Sequence, residues 1–356
     1  MQYTFCTLFD SGYLDRGITL YESMENTMDD FHLYIYAFDK KAYQVLTELQ
    51  LKHAEIINYE EIETKEMKEL RKTRTRAEYC WTCTSVVIDY TLTHFPVDNC
   101  TYLDADLYFF ANPQILVDDV LNNHKSVSII RHAFPNTRQY RFIEKKNGKY
   151  CVQFNTFLND ESGKKVLHWW RDRCVENCSS IGKDGNFGDQ KYQDDWLTRF
   201  DCVYELANDG AGVAPWNVSR YRLVRKDNDI IMIQDKKSKK SMPLIFFHFH
   251  SLRDVDADHM NIRVYQRQGK HDKDLVEFLY KVYIGRLLHN REKLKNQFGI
   301  QYPYRVDTSK DVFVKDVNNE EYLSFMDWYY IYKDEIRRRL VEKKDIKEIK
   351  TWLKKD

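Results

Sequence analysis

Cys100-Thr-Tyr-Leu-Asp104-Ala-Asp106-Leu-Tyr-Phe-Phe110 sets two carboxylates one residue apart inside an apolar, aromatic and β-branched run. The run reads as one buried strand. Alternate side chains of a strand share a face, so Asp104 and Asp106 are expected to point the same way, with the small Ala105 leaving the space around them open. Two unpaired carboxylates in apolar surroundings would be costly or would force one of them to protonate. A hard divalent cation, Mn²⁺ or Mg²⁺, bridging to an anionic diphosphate supplies the missing charge.

The sequence on the N-terminal side of this run indicates the kind of sheet that holds it. Tyr3 to Phe9, His32 to Phe38 and Glu55 to Tyr59 read as strands, with helices over Gly17 to Met28 and Lys41 to Leu51 between them. The charged stretch Glu60 to Arg76 reads as a solvated helix or loop, and Tyr79 to Thr93 as a helix packed on the sheet. This βαβ alternation predicts an α/β fold with a mainly parallel sheet flanked by helices. Ligands of such sheets bind beyond the carboxyl ends of the strands, where the acid pair falls. Farther on, strands are expected over Val127 to Arg131, Tyr150 to Leu158 and Leu244 to Phe249, with a hairpin near Arg222 and Ile230. A helix is expected over Lys164 to Cys178, followed by a glycine-rich loop from Gly182 that opens into a helical run ending near Phe200. Beyond about Asp256 the sequence turns into long, charged, aromatic-laced helical texture.

The 356 residues, 43% of them hydrophobic, suffice for one large core with a smaller appended region. Lys+Arg and Asp+Glu both number 55, for a formal net charge of +0, so no global field recruits nucleic acid, and none is expected as a partner. The N-terminus shows no basic segment followed by a long apolar one, and no run is long enough to span a bilayer, which predicts a cytoplasmic protein. The weakly amphipathic tail from Arg337 to Lys355, with Ile336, Leu340, Ile349 and Leu353, allows a peripheral contact at the inner face of the membrane. Eight cysteines without a secretory signal argue for reduced thiols. The pairs Cys80/Cys83 and Cys174/Cys178 lie in helical sequence with no flanking Cys/His knuckle, so they read as small buried residues, not zinc ligands.

A second constellation, Phe246-Phe247-His248-Phe249-His250, alternates two histidines with phenylalanines, and imidazole is a suitable third ligand for Mn²⁺. Together these residues resemble the metal-dependent nucleotide-sugar transferases of the GT-A fold, and within them the retaining, family-8-like group. Four blocks carry the likeness: Tyr102-Leu-Asp104-Ala-Asp106; Gly188-Asp189-Gln190-Lys-Tyr-Gln-Asp194; Pro215-Trp216-Asn217; and His248-Phe249-His250-Ser251. Order and spacing agree over residues 1 to about 255. A bacterial branch carrying Trp169-Trp170, Gly-Asp-Gln-Lys-Tyr and Ala-Pro-Trp-Asn blocks is the nearer likeness. The chain departs from the family at Ser251, where the family has glycine, at Lys191, and at Asn155-Thr156-Phe157, which lacks a glycine. It also carries Asp254 where the family has lysine, with Arg253 beside it.

The resemblance implies a nucleotide-sugar-binding catalytic domain over residues 1–258 and a helical region over 259–356 for acceptor, partner or membrane contacts. It implies a metal held by Asp104, Asp106 and His248, with His250 a further candidate. Asp189 and Gln190 would address the sugar, Gln190 near the anomeric carbon, while Asn155, Trp216 and Asn217 would shape the sugar pocket. At the ends of the first strands Asp10, Tyr13 and Asp39 are candidates for the nucleotide, Tyr13 by stacking and Asp39 by accepting an imide N–H, with Arg253 a candidate for the diphosphate. A UDP-sugar donor and a glycan, lipid-linked or protein acceptor are the expected partners, with retention of configuration. Two other readings stay open: a sugar-nucleotide nucleotidyltransferase, which would want a richer glycine loop than Asp10-Ser-Gly-Tyr-Leu-Asp-Arg-Gly17, and a non-catalytic carbohydrate-binding protein. Asp189 could alternatively serve as a helix N-cap.

Overall fold

The computed structural model describes residues 2–181, 185–226, 230–255, 259–264, 271–303 and 312–314. The chain begins β1 (Thr4–Phe9), α1 (Leu14–Thr27), β2 (His32–Ala37), α2 (Lys40–Leu49) and β3 (Ala54–Asn58). Short helices α3 (Tyr59–Ile62) and α4 (Lys65–Thr73) precede the long α5 (Arg76–His94), then β4 (Asn99–Leu103), β5 (Leu107–Phe109), α6 (Gln114–Asn122), β6 (Val127–Arg131) and α7 (Arg138–Asn147). There follow β7 (Tyr150–Cys151), β8 (Phe154–Leu158), α8 (Glu161–Glu176), α9 (Trp196–Arg199) and β9 (Val203–Glu205). The last part holds β10 (Tyr221–Lys226), β11 (Ile231–Asp235), β12 (Ser241–Pro243), β13 (Phe246–His248), β14 (Arg253–Asp254), β15 (His259–Asn261), α10 (Lys273–Phe298) and β16 (Val312–Val314).

The main sheet runs β3-β2-β1-β4-β8-β6-β7, with β9 also on β6. Its first four strands are parallel, as the βαβ alternation predicts, and β9 is parallel to β6, while β8 is antiparallel to both its neighbours. Every residue of β1 is buried because both faces of the sheet are covered, which is why Thr4–Phe9 shows no alternation of polar and apolar residues. One face packs against α1, α2 and α6 through Phe5, Leu14, Ile18, Val45 and Val117. The other meets α5 and α8 through Val87, Leu167 and Trp170. Helix α1 lies so close to β1 that a Cβ at Gly17 would fall 2.2 Å from the Phe9 ring.

The acid-bearing run is not one strand. Strand β4 ends at Leu103, the Leu107 amide donates to the Asp104 carbonyl at 3.2 Å, and β5 leaves the main sheet to pair antiparallel with β13, Leu107 opposite His248. Aspartate is a poor strand former, and two of them at the carboxyl end of β4 accompany the turn of the chain. The expected hairpin is present as β10–β11, extended by β12.

Beyond residue 258 the described chain contributes strands as well as helix: β15 pairs with both β14 and β16. Helix α10 closes a third core with Phe247, Phe249, Tyr280 and Tyr283, and the Phe249 and Tyr283 rings stack at 3.7 Å. It also bonds to α1, Asn290 donating to Thr19 Oγ1 at 3.1 Å and to Glu22 at 2.9 Å. The tail from Arg337 to Lys355 lies outside the described residues. No described helix is long and apolar enough to cross a membrane. Cys83 and Cys174 are buried on α5 and α8, and all eight cysteines are free thiols.

Candidate active site

Two elements from different sheets meet at the carboxyl end of the parallel strands. The Asp104–Asp106 turn hangs from β4, β13 lies beside β5, and His248 on β13 points its ring at both acids. Its Nε2 is 2.9 Å from Asp106 Oδ1 and 3.7 Å from Asp104 Oδ2. Thus the turn and the strand pairing, and not a shared strand face, bring the two carboxylates to one imidazole. His250, past the strand end, is exposed but places a ring nitrogen within 4.8 Å of the ligand atoms of Asp106 and His248.

The orientation of His248 is set from behind by a residue with no motif to mark it. Gln153, fully buried, accepts a hydrogen bond from Nδ1–H at 2.7 Å, which leaves Nε2 to face the acids. Nε2 therefore lies beside both carboxylates, and the ligand atoms of Asp106, His248 and His250 all lie within 4.8 Å of one another. Burial alone would depress the His248 imidazole, but the Asp106 charge and hydrogen bond outweigh it and hold it well above its ordinary range. Burial would likewise raise Asp106, yet the His248 charge and hydrogen bond, helped by His250 and Arg16, bring its carboxyl down to about 2. Desolvation raises Asp104 to about 6, the pull of His248 being opposed by the charge of Asp106. Two oxygens and one imidazole suit a hard divalent cation. Cys151 forms an alternative set with Asp104 and His248, its ligand atom within 4.8 Å of theirs, but burial pushes its thiol up and keeps it protonated. Replacing Gln153 by leucine, which unpairs Nδ1–H, is expected to weaken Mn²⁺ binding by about 10- to 100-fold in a calorimetric titration; unchanged affinity would show that Gln153 does not orient the ligand.

Asp189 follows Gly188, whose φ of +55° is a left-handed turn that favours glycine, and it precedes a 3₁₀ turn over Gln190–Asp195. Asp189 stands at the N-cap position of that turn, but its side chain makes no cap hydrogen bond. The residue is buried, its carbonyl accepts from Trp170 Nε1 at 2.9 Å, and burial together with the Asp104 charge pushes its carboxyl up to about 8. With a folded pKa above its unfolded one, Asp189 keeps a proton in the folded state that it loses on unfolding between about pH 4 and 8. Its contribution to stability therefore falls as pH rises through that window. Metal-free Asp189→Asn should show a flatter decline of Tm from pH 5 to 8 than the parent; identical slopes would mean that Asp189 is ionised throughout.

Gln190 donates from Nε2 to the Asn147 carbonyl at the end of α7, at 2.7 Å. Trp216 is buried, donates to the His132 carbonyl at 2.8 Å and presents its ring edge-on to His248 and His250 at 5.4 and 5.5 Å. Asn217 locks the turn beneath, donating to the His132 and Gly212 carbonyls and accepting from the Ala214 amide. Asn155 is fully buried in β8 with its amide donating to Ser128 and accepting from Gln193, which makes it a support under the site.

At the nucleotide end, Asp39 caps α2 through Ala42 N and accepts from both the amide and hydroxyl of Ser11. Asp10 accepts from Gly12 N and pairs with Arg76. Tyr13 is half-buried with the Arg16 guanidinium 4.7 Å from its ring centroid. Arg253 is half-buried on β14, and Asp254 beside it is held by Arg291 at 2.7 and 2.8 Å. Sequence reasoning missed Gln153, Cys151 and Arg16. Only Arg16 carried a signal, as an adjacent acid–base pair in the first turn of a helix whose next residues, Gly17 and Ile18, are apolar.

No known protein-family model matches the chain. It is 27% identical over 303 residues to the uncharacterized protein YfnF of Bacillus subtilis strain 168, covering 84% of this chain and 97% of that protein. Among solved structures it is similar to the galactosyltransferase LgtC in complex with donor and acceptor sugar analogs, with TM-score 0.45, 13% identity, and 70% of this chain and 87% of that one covered. It is also similar to apo mouse xyloside xylosyltransferase 1, with TM-score 0.44, 11% identity, and coverage of 70% and 98%. Both solved neighbours are glycosyltransferases.

Proposed function

We propose that the protein is a metal-dependent glycosyltransferase of the GT-A type that moves a sugar from a UDP-sugar to a glycan, lipid-linked or protein acceptor with retention. The convergence of Asp104, Asp106 and His248 at the carboxyl end of the parallel strands carries this reading. A Mn²⁺ or Mg²⁺ ion held by these three side chains would supply Lewis-acid stabilisation of a diphosphate.

The chain's own groups do the rest. Gln153 keeps Nε2 of His248 aimed outward, and Asp106 stays ionised at any physiological pH. Breaking the anomeric C–O bond puts negative charge on the diphosphate and positive character on the sugar, so the site's work is electrostatic. Asp189 and Gln190 sit at the sugar side, with a protonated Asp189 able to donate a hydrogen bond to a sugar oxygen. Trp216 walls the site beside the two histidines. No strong base is required, because the departing phosphate oxygen can take the acceptor's proton. The nucleotidyltransferase alternative is disfavoured by the short 3₁₀ turn Ser11–Tyr13 capped by Asp10, which stands where such enzymes want a phosphate-cradling glycine loop.

A thermal-shift screen of nucleotide sugars with Mn²⁺ tests the reading. A cognate donor at a hundred times its Kd stabilises the fold by about 2.7 kcal/mol. One UDP-sugar is expected to raise Tm only when Mn²⁺ is present and to release UDP slowly without acceptor. Binding without any release would favour the carbohydrate-binding alternative, and no shift with any nucleotide sugar would remove the donor assignment.

A further inference from the structure

Arg16 lies in the first turn of α1, just past the carboxyl end of β1, and is only 7% exposed. Its Nη1 reaches both oxygens of Asp15, at 3.2 and 3.3 Å, and its Nη2 donates to the Leu252 carbonyl at 3.0 Å. Asp15, fully buried, accepts from Arg291 Nε at 2.7 Å, and both Nη atoms of Arg291 grip Asp254. The four side chains form an alternating row, Asp254, Arg291, Asp15, Arg16, with no net charge but with a positive end. That end lies beside the candidate site: Arg16 is bonded to the carbonyl of Leu252, which follows His250 in the chain, its guanidinium stands 4.7 Å from the Tyr13 ring centroid, and Arg16 and Asp106 lie within each other's electrostatic reach. A buried guanidinium is stable only when paired, and Arg16 is held through both Nη atoms. The N-terminus of the 14-residue α1 adds partial positive charge at the same place.

We propose that Arg16 is the cation that meets the β-phosphate of the donor, and that Asp15, Arg291 and Asp254 hold it there. The proposal rests on the nucleotide-sugar reading above. Asp254 has its carboxylate closed by Arg291, which leaves Arg16 as the positive end of the row. In the transfer step the anomeric C–O bond breaks with its electron pair going to the β-phosphate oxygen, and Arg16 meets that added charge. The acceptor oxygen forms the new bond to the anomeric carbon, and its proton passes to the departing phosphate oxygen.

Because removing Arg16 alone leaves Asp15 with one partner fewer, the test uses the charge-balanced pair Asp15→Asn/Arg16→Gln together with Arg16→Lys, each checked for an intact fold by its thermal transition. Binding of UDP and of UMP is measured with saturating Mn²⁺. The double variant is expected to lose about 10- to 100-fold in UDP affinity while UMP changes less than about threefold, and Arg16→Lys to keep most of the UDP affinity. A folded double variant with unchanged UDP affinity, or one that loses UDP and UMP alike, overturns the role of Arg16 and leaves the donor reading standing. Failure of the parent protein to bind either nucleotide with Mn²⁺ overturns both.

Discussion

Asp106→Asn should abolish the Mn²⁺-dependent stabilisation by a nucleotide sugar and lower turnover by about a thousandfold or more. The substitution keeps the volume of the side chain and removes its charge. Asp106 is the carboxylate closest to His248 and the one whose proton is held off down to about pH 2, so it is the permanent anion of the site. Asp104, raised to about 6, is the more easily neutralised partner. An amide offers one weak oxygen to a hard cation and presents an N–H₂ that a cation repels. The measurement is UDP release at increasing Mn²⁺ for parent and variant. A variant with the parent's Mn²⁺ dependence would take Asp106 out of the site.

Arg291→Met is expected to cost about 3–5 kcal/mol in chemical denaturation at pH 7. Methionine fills much of the space but strips two buried carboxylates of a partner: Asp15, fully buried, and Asp254, 7% exposed. Breaking one member of a buried ionic row leaves charge that water cannot reach. A loss under about 1 kcal/mol at pH 7 would mean that the row carries little of the fold. The same substitution removes the bond from α10 to Asp15 on α1, so its cost also measures how firmly α10 is built into the protein.

Much of the architecture was readable from local pattern. Continuous apolar strands separated by amphipathic helices made the parallel half of the sheet legible, since period and length carry that information without any knowledge of contacts. The acid run was misread in one respect. Leu103 and Leu107 on either side look like one strand continuing, and only the low strand preference of Asp104 and Asp106 hinted at the turn that sends β5 to another sheet. The candidate site was legible where motifs bear it, at Asp104, Asp106 and His248, whose side chains lie together. Its supports were not. Gln153 touches His248 across 95 positions of sequence and Arg291 touches Asp15 across 276, and no local spacing encodes partners so distant. Asn155 carried a motif likeness, yet its amide is spent inside the sheet; a polar residue within an apolar strand signals a hydrogen-bonded core group as often as a ligand contact.

The most direct test is anomalous diffraction from a crystal of the full chain soaked with Mn²⁺ and UDP. The account requires a single strong manganese peak coordinated by Asp106 and His248, with Asp104 beside it and the diphosphate completing the shell. A peak elsewhere, or a diphosphate bound with no metal among those three side chains, would contradict it.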